Sequence, residues 1–118
     1  MKTFLGLVAT LLLLTAAPAW AGQNTLTWTD NSNNEANFNI ERTTAADVAA
    51  CQTATGFTSL ASVGFNVATF TDAVVTEGTT YCYRVNASNT AGVSAFSNIA
   101  GRTVPLTVPL APSGLVVN

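Results

Sequence analysis

The run from Thr80 to Asn98, TYCYRVNASNTAGVSAFSN, decides the class of this chain. Tyr81, Tyr83, Val85 and Ala87 fall on alternate positions, with Cys82, Arg84, Asn86 and Ser88 between them. Side chains on a strand alternate between faces, so this pattern predicts a strand over Thr80–Asn89 that buries its tyrosine face. A polar turn with Gly92 follows, and a second strand is expected over Val93–Thr103. The same grammar extends upstream. Asn24–Asp30 reads as a strand with Leu26 and Trp28 on one face, Asn31–Asn34 as a turn, and Asn37–Thr43 as a strand with Phe38 and Ile40 inward. Thr44–Gly56 is a longer connection whose AADVAA segment suits one helical turn. Phe57–Val63 is a weaker strand, and Ala68–Asp72 is a short one centred on Phe70. Short strands at such spacing predict an all-β, two-sheet antiparallel sandwich. Its expected core is Trp28, Phe38, Ile40, Phe70, Tyr81, Tyr83 and Val85.

Residues 1–21 have the form of a secretory signal peptide. Lys2 gives the positive start, Phe4–Leu14 is an apolar run, and Ala19-Trp20-Ala21 places small residues where a signal peptidase reads. The run is short of the ~20 apolar residues a membrane span needs, and Pro18 interrupts it. Cleavage after Ala21 takes 21 residues from 118 and leaves 97, enough for one small domain with a single core. Lys2 leaves with the leader, so Arg42, Arg84 and Arg102 face all six acids and the formal net charge moves from −2 to −3. Nucleic acid and anionic lipid both require a clustered positive patch, so neither is an expected partner. The expected localisation is secreted or extracytoplasmic, with no membrane association once the leader is removed.

Cys51 and Cys82 are the two cysteines, and an even count behind a leader predicts one disulfide. Cys82 alternates with the core residues, so the bridge should pin the long Thr44–Gly56 connection onto the outer face of its strand. The sequence contains no histidine, which removes the commonest general base and transition-metal ligand. No lysine remains after Lys2 to activate a serine or threonine, and the six acids scatter over strands and turns. No catalytic residue, metal site or cofactor is expected. The oxygen-rich turn around Asp30, Asn31, Asn33, Asn34 and Glu35 offers ligands that suit calcium, but these residues are equally ordinary turn formers. Glu41 and Arg84 both point outward from expected neighbouring strands and suit an exposed ion pair.

Together with LTWTDNSNNEANFNIER (Leu26–Arg42), the Tyr81 strand resembles a fibronectin type III module of the bacterial secreted kind. The resemblance covers Thr25 to Val104. It implies that Trp28 is the core tryptophan of the second family strand. It also implies that Val75-Thr-Glu77-Gly78-Thr-Thr-Tyr81 is the corner in which a tyrosine hydroxyl bonds backbone a few residues upstream. Gly78 and Tyr81 match that corner, while Val75 and Glu77 replace the usual Leu and Pro. The Arg-Gly-Asp tripeptide of the family's adhesive members is absent, so that mode does not carry over. Asn86-Ala87-Ser88 fits the N-glycosylation pattern, but its middle residue is expected to face inward. An antibody-type disulfide across the core is ruled out because no cysteine lies near Trp28.

The family's first strand is missing ahead of Trp28, yet the C-terminal VPLAPSGLVVN has its character. The expected organisation is a leader over 1–21, the module over 22–104, and a linker with a first-strand-like segment over 105–118. Ser113, Gly114, Leu115, Val116 and Val117 are the strand-donor candidates. They begin a following module, fold back in cis, or complete a neighbouring molecule. The implied function is an exported, non-catalytic binding or spacer module with a protein or carbohydrate surface as partner. The alternatives are a self-associating subunit joined by strand donation, and the front of a larger secreted hydrolase.

Overall fold

The computed structural model describes residues 22–118, so the expected leader lies outside the described residues. Seven strands run in chain order: β1 (Asn24–Thr27), β2 (Asn37–Ala45), β3 (Thr58–Gly64), β4 (Thr69–Asp72), β5 (Thr80–Asn89), β6 (Gly92–Val93) and β7 (Ala100–Thr103). One sheet is β1–β4; the other is β3–β2–β5, with β6 and β7 both on the far edge of β5. All pairings are antiparallel. The all-β, two-sheet sandwich read from the sequence is what forms.

The alternating runs bury what they were expected to bury. Phe38, Ile40, Tyr81, Tyr83 and Val85 form the buried cluster. Trp28 and Phe70 do not sit at its centre as expected: both are half-buried and pack against the cluster from the β1–β4 sheet. That sheet has two short strands, too few to close over large rings. Trp28 itself lies one residue beyond β1, with its ring 5.6 Å from that of Phe38. The centre is instead shared by Ile40 and Val104, both fully buried. Val104 enters because its N–H donates to Thr79 O at 3.0 Å and its carbonyl accepts from Gly78 N at 2.8 Å.

Several bounds differ from the sequence reading. β1 ends at Thr27 and not at Asp30, and the helical turn expected at AADVAA (residues 45–50) forms slightly later, as a 3-10 helix over Ala49–Thr53. The expected continuous strand Val93–Thr103 breaks into β6 and β7. At the break, the hydroxyls of Ser94 and Ser97 accept from the backbone N–H groups of Ala87 (2.9 Å) and Val85 (3.0 Å) on β5. Side-chain oxygens thus replace the carbonyls of a ladder there, and the strand geometry is lost over 94–99.

The segment 105–118 forms no strand and lies exposed. The cis return of Ser113–Val117 onto β1 is therefore not the arrangement present: Leu115 and Val117 are 91% and 92% exposed.

Candidate functional site

Three side-chain assemblies distinguish this sandwich; the sequence exposed one of them whole and the ion pair of another. The first is the disulfide. Cys51 on the 3-10 helix and Cys82 on β5 are bridged, with Cα atoms 5.5 Å apart. The bridge lays the helix over the outer face of β5, so Cys82, expected to point away from the core, is nonetheless fully buried. β7 must pass beneath the bridge. A Cβ on Gly101 would lie 2.5 Å from Cys51 Sγ and 3.2 Å from Tyr81 O, so only glycine fits.

The second assembly is a buried polar strut that crosses between the sheets. Arg102 on β7 donates to Asn24 Oδ1 at 2.6 Å, and Asn24 Nδ2 donates to Tyr83 Oη at 2.9 Å. The Tyr83 hydroxyl donates to Asp72 Oδ2 at 2.7 Å, and Arg42 Nη1 donates to the same oxygen at 2.8 Å. Asn24 and Asp72 face each other in the β1–β4 register, and each is 2% exposed. Burial pushes the Tyr83 phenol well above its ordinary value, so it stays protonated and keeps donating. Burial opposes the charge on Arg42, but the bond to Asp72 and its charge outweigh that and raise its pKa. No buried side-chain polar atom of the strut lacks a partner, which is the condition under which buried polar groups rigidify a core. A short strand of Asn and Thr gave no hint of this, because the partners meet only through register.

The third assembly is half-buried at the surface. Arg84 makes two bonds to Glu41 Oε1, from Nε at 2.9 Å and Nη2 at 2.7 Å, as the cross-strand pairing anticipated. Its guanidinium also lies over the rings of Phe57 (4.3 Å) and Phe96 (3.8 Å). The aromatic clamp was not foreseen, since Phe57 and Phe96 belong to two different expected strands and meet only over Arg84.

The remaining expectations fall as follows. Tyr81 Oη accepts from Thr76 N at 3.0 Å, the corner bond that the family resemblance implied. Gly78, at φ +81°, turns that corner in the left-handed region. In the Asp30–Glu35 turn, Asp30 Oδ1 accepts from Ser32 N, while the Glu35 carboxylate accepts from the Ser32 hydroxyl at 2.6 Å and from Asn66 N at 3.0 Å. Those bonds, the hydroxyl first, hold Glu35 below its ordinary value of 4.5. Among the described residues no group of three or more His, Cys, Asp or Glu is arranged to hold a metal, and no helix is long and apolar enough to cross a membrane. A cleft of about 730 Å³ runs between β1 and β7, lined by β1, Trp28 and the Tyr83–Val85 segment.

These features can be set beside known structures. A twitchin kinase region from C. elegans (Fn31-NL-kin-CRD-Ig26) superposes on 72% of the chain with a TM-score of 0.56 and 20% identity. Domains A168–A170 of titin match 73% of it, also at 0.56, with 21% identity. The fold is an immunoglobulin-like sandwich. A pectate lyase from Pectobacterium carotovorum matches 78% of the chain at 0.56 with 25% identity. The chain spans 14%, 28% and 26% of those three structures, respectively. No family model and no curated protein matches the sequence.

Proposed function

We propose that this chain is an exported, non-catalytic sandwich module of fibronectin type III type that binds or spaces at the cell exterior. The observation that carries the reading is how the carboxylates are used. Asp72 is held by Arg42 and Tyr83, and Glu41 by Arg84. Glu35 is held by Ser32 and Asn66, Glu77 by Thr107, and Asp47 by the Ala50 N–H. Asp30 accepts from Ser32 N. A sequence without histidine has few other groups to move a proton, and these are committed to holding the fold. The Tyr81 corner and the Gly78 turn support the finer assignment. The disulfide supports an oxidising compartment.

Expression of the full chain in an exporting bacterial host tests this. The extracytoplasmic fraction should contain protein beginning at Gly22, two hydrogens lighter than its reduced form. Retention of uncleaved chain in the cytoplasm overturns the exported reading. Turnover of any glycan, ester or peptide substrate by the purified protein, lost on unfolding, overturns the non-catalytic one.

The likeness to part of a pectate lyase favours a second reading, a module that accompanies a secreted carbohydrate-active enzyme. Affinity electrophoresis through gels containing polygalacturonate separates the two. Retardation supports a carbohydrate-directed module, and unchanged mobility leaves a spacer or protein-binding one.

A further inference from the structure

One edge of β1 is paired with β4; among the described residues nothing pairs with the other. The register fixes what that edge offers. Trp28 N donates to Ala68 O, so the even-numbered positions of β1 exchange bonds with β4. In an antiparallel ladder the intervening residues then turn their amides the other way, which places the backbone groups of Thr25 and Thr27 on the open side. That side borders the cleft of about 730 Å³ facing β7. Trp28 lines the cleft, and its Nε1–H is buried with no acceptor, an uncommon state for a buried donor. Arg102, bonded to Gln23 O and Asn24 Oδ1, closes one end.

The same chain carries a segment suited to this slot. Leu115 and Val117 alternate with Gly114 and Val116, and all of Leu115–Val117 is at least 73% exposed. Four residues of β1 run about 13 Å at ~3.3 Å per residue, a length that Ser113–Val117 covers. What separates the segment from its own domain is stiff. The chain is pinned at Thr107, whose N–H and hydroxyl both bond Glu77. Pro109 and Pro112 then punctuate the linker. Proline-rich linkers extend at ~3.1 Å per residue, so residues 108–112 hold the segment roughly 16 Å from where the chain is pinned.

We infer that the open edge of β1 is an acceptor site for the Ser113–Val117 segment of a second copy of this chain. The donated strand pairs antiparallel with β1, takes the amides of Thr25 and Thr27, and places Leu115 and Val117 toward the cleft beside Trp28. Open sheet edges accept strands in this way, with main-chain bonds supplying affinity and alternate side chains supplying selectivity. The inference rests on removal of residues 1–21, so it is tested on protein verified by mass to begin at Gly22; a failure of leader cleavage is visible there separately.

Sedimentation equilibrium of the 22–118 chain should show a weight-average mass that rises with concentration to at least twice the monomer. Truncation after Ala111 leaves the Thr107–Glu77 bonds in place and should give a monomer. So should Leu115→Asp with Val117→Asp, which alters only exposed positions. Trp28 is the sole tryptophan from Gly22 onward, so the peptide SGLVVN titrated into the truncated chain should shift its emission, while SGDVDN should not. Monomeric protein at every concentration, with no Trp28 response, overturns the inference. So do oligomers that survive truncation. A monomeric full chain that melts above its truncated form also overturns it, because the tail then closes its own domain in cis.

Discussion

Replacing Asp72 by asparagine keeps the volume of the side chain and removes one charge from the centre of the strut. Asp72 Oδ2 accepts from Arg42 and Tyr83, while Oδ1 accepts from Val74 N at 3.1 Å. An amide has one acceptor oxygen, so either orientation sets its NH2 against a donor. If the oxygen serves Arg42 and Tyr83, the NH2 faces Val74 N–H; if it serves Val74, two donors are orphaned. One unsatisfied buried group costs about 1–3 kcal/mol, and bonds to a charged group are worth about 1.5–3 kcal/mol against about 1 for neutral ones. Breaking a fully buried pair costs about 3–5 kcal/mol, but the Arg42 side chain is 26% exposed and rehydrates in part. The expected loss is therefore about 2–4 kcal/mol. Urea unfolding followed by Trp28 emission reads it, with Glu41→Gln as the contrast. Glu41 and Arg84 are 26% and 28% exposed, so losing that carboxylate should cost no more than about 1 kcal/mol, despite its two bonds. Tyr83→Phe combined with Asp72→Asn should then show a coupling of about 0.5 kcal/mol or more. An Asp72→Asn protein within about 0.5 kcal/mol of the parent would refute the strut as a stabilising element.

Replacing both Cys51 and Cys82 by alanine should lower stability by ~3–4 kcal/mol, because the bridge closes a span of 31 residues; calorimetry of the reduced and oxidised parent gives the same comparison. Gly101→Ala should destabilise the oxidised protein much more than the double cysteine variant, since the added methyl has to displace Cys51 Sγ; equal losses in both backgrounds would refute the steric account. Tyr81→Phe should cost about 1 kcal/mol or more by leaving the Thr76 N–H without its acceptor, read from the thermal midpoint. Glu35 is held below its ordinary value, so its contribution is complete above about pH 4.5 and is lost as pH falls through the lower, folded value. Urea midpoints from about pH 6 to about pH 3 should therefore fall more steeply in the parent than in Glu35→Gln.

β5 was legible residue for residue, because a ten-residue alternation with buried neighbours leaves one register. The disulfide was legible from a count of two. β7 was overextended because Ser94 and Ser97 look like ordinary outward strand residues; only the partner strand reveals that their hydroxyls stand in for carbonyls. Val104 was missed as a core residue because it lies one position past the expected strand Val93–Thr103 and abuts Pro105, where no alternation marks it. Trp28 was placed too deep because its burial depends on how much sheet lies behind it, which no local pattern states. The strut was invisible for a related reason: Asn24 and Asp72 each look like an end-of-strand residue and Tyr83 like a core ring, and only the register joins them.

The pairing of β1 with β4, and of β7 with β5, has a mechanical consequence. Gln23 and Asn24 lie beside Arg102, and Val104–Thr107 lies against Gly78 and Glu77, so both points of attachment sit at one pole. The turns at 28–36, 65–68 and 90–91 stand at the opposite pole. Tension applied between the two attachment points does not shear the sandwich along its strands. It opens the structure like a zipper, lifting β1 and β7 from their neighbours one rung at a time, which is the weak direction of a sheet. The covalent bridge then limits how far the chain can be drawn out. Of the length released, the 31 residue steps between Cys51 and Cys82 stay closed and withhold roughly 100 Å at ~3.3–3.6 Å per residue. Any pull on the two ends of the described domain therefore acts at one pole, and the turns at the other pole lie outside its path.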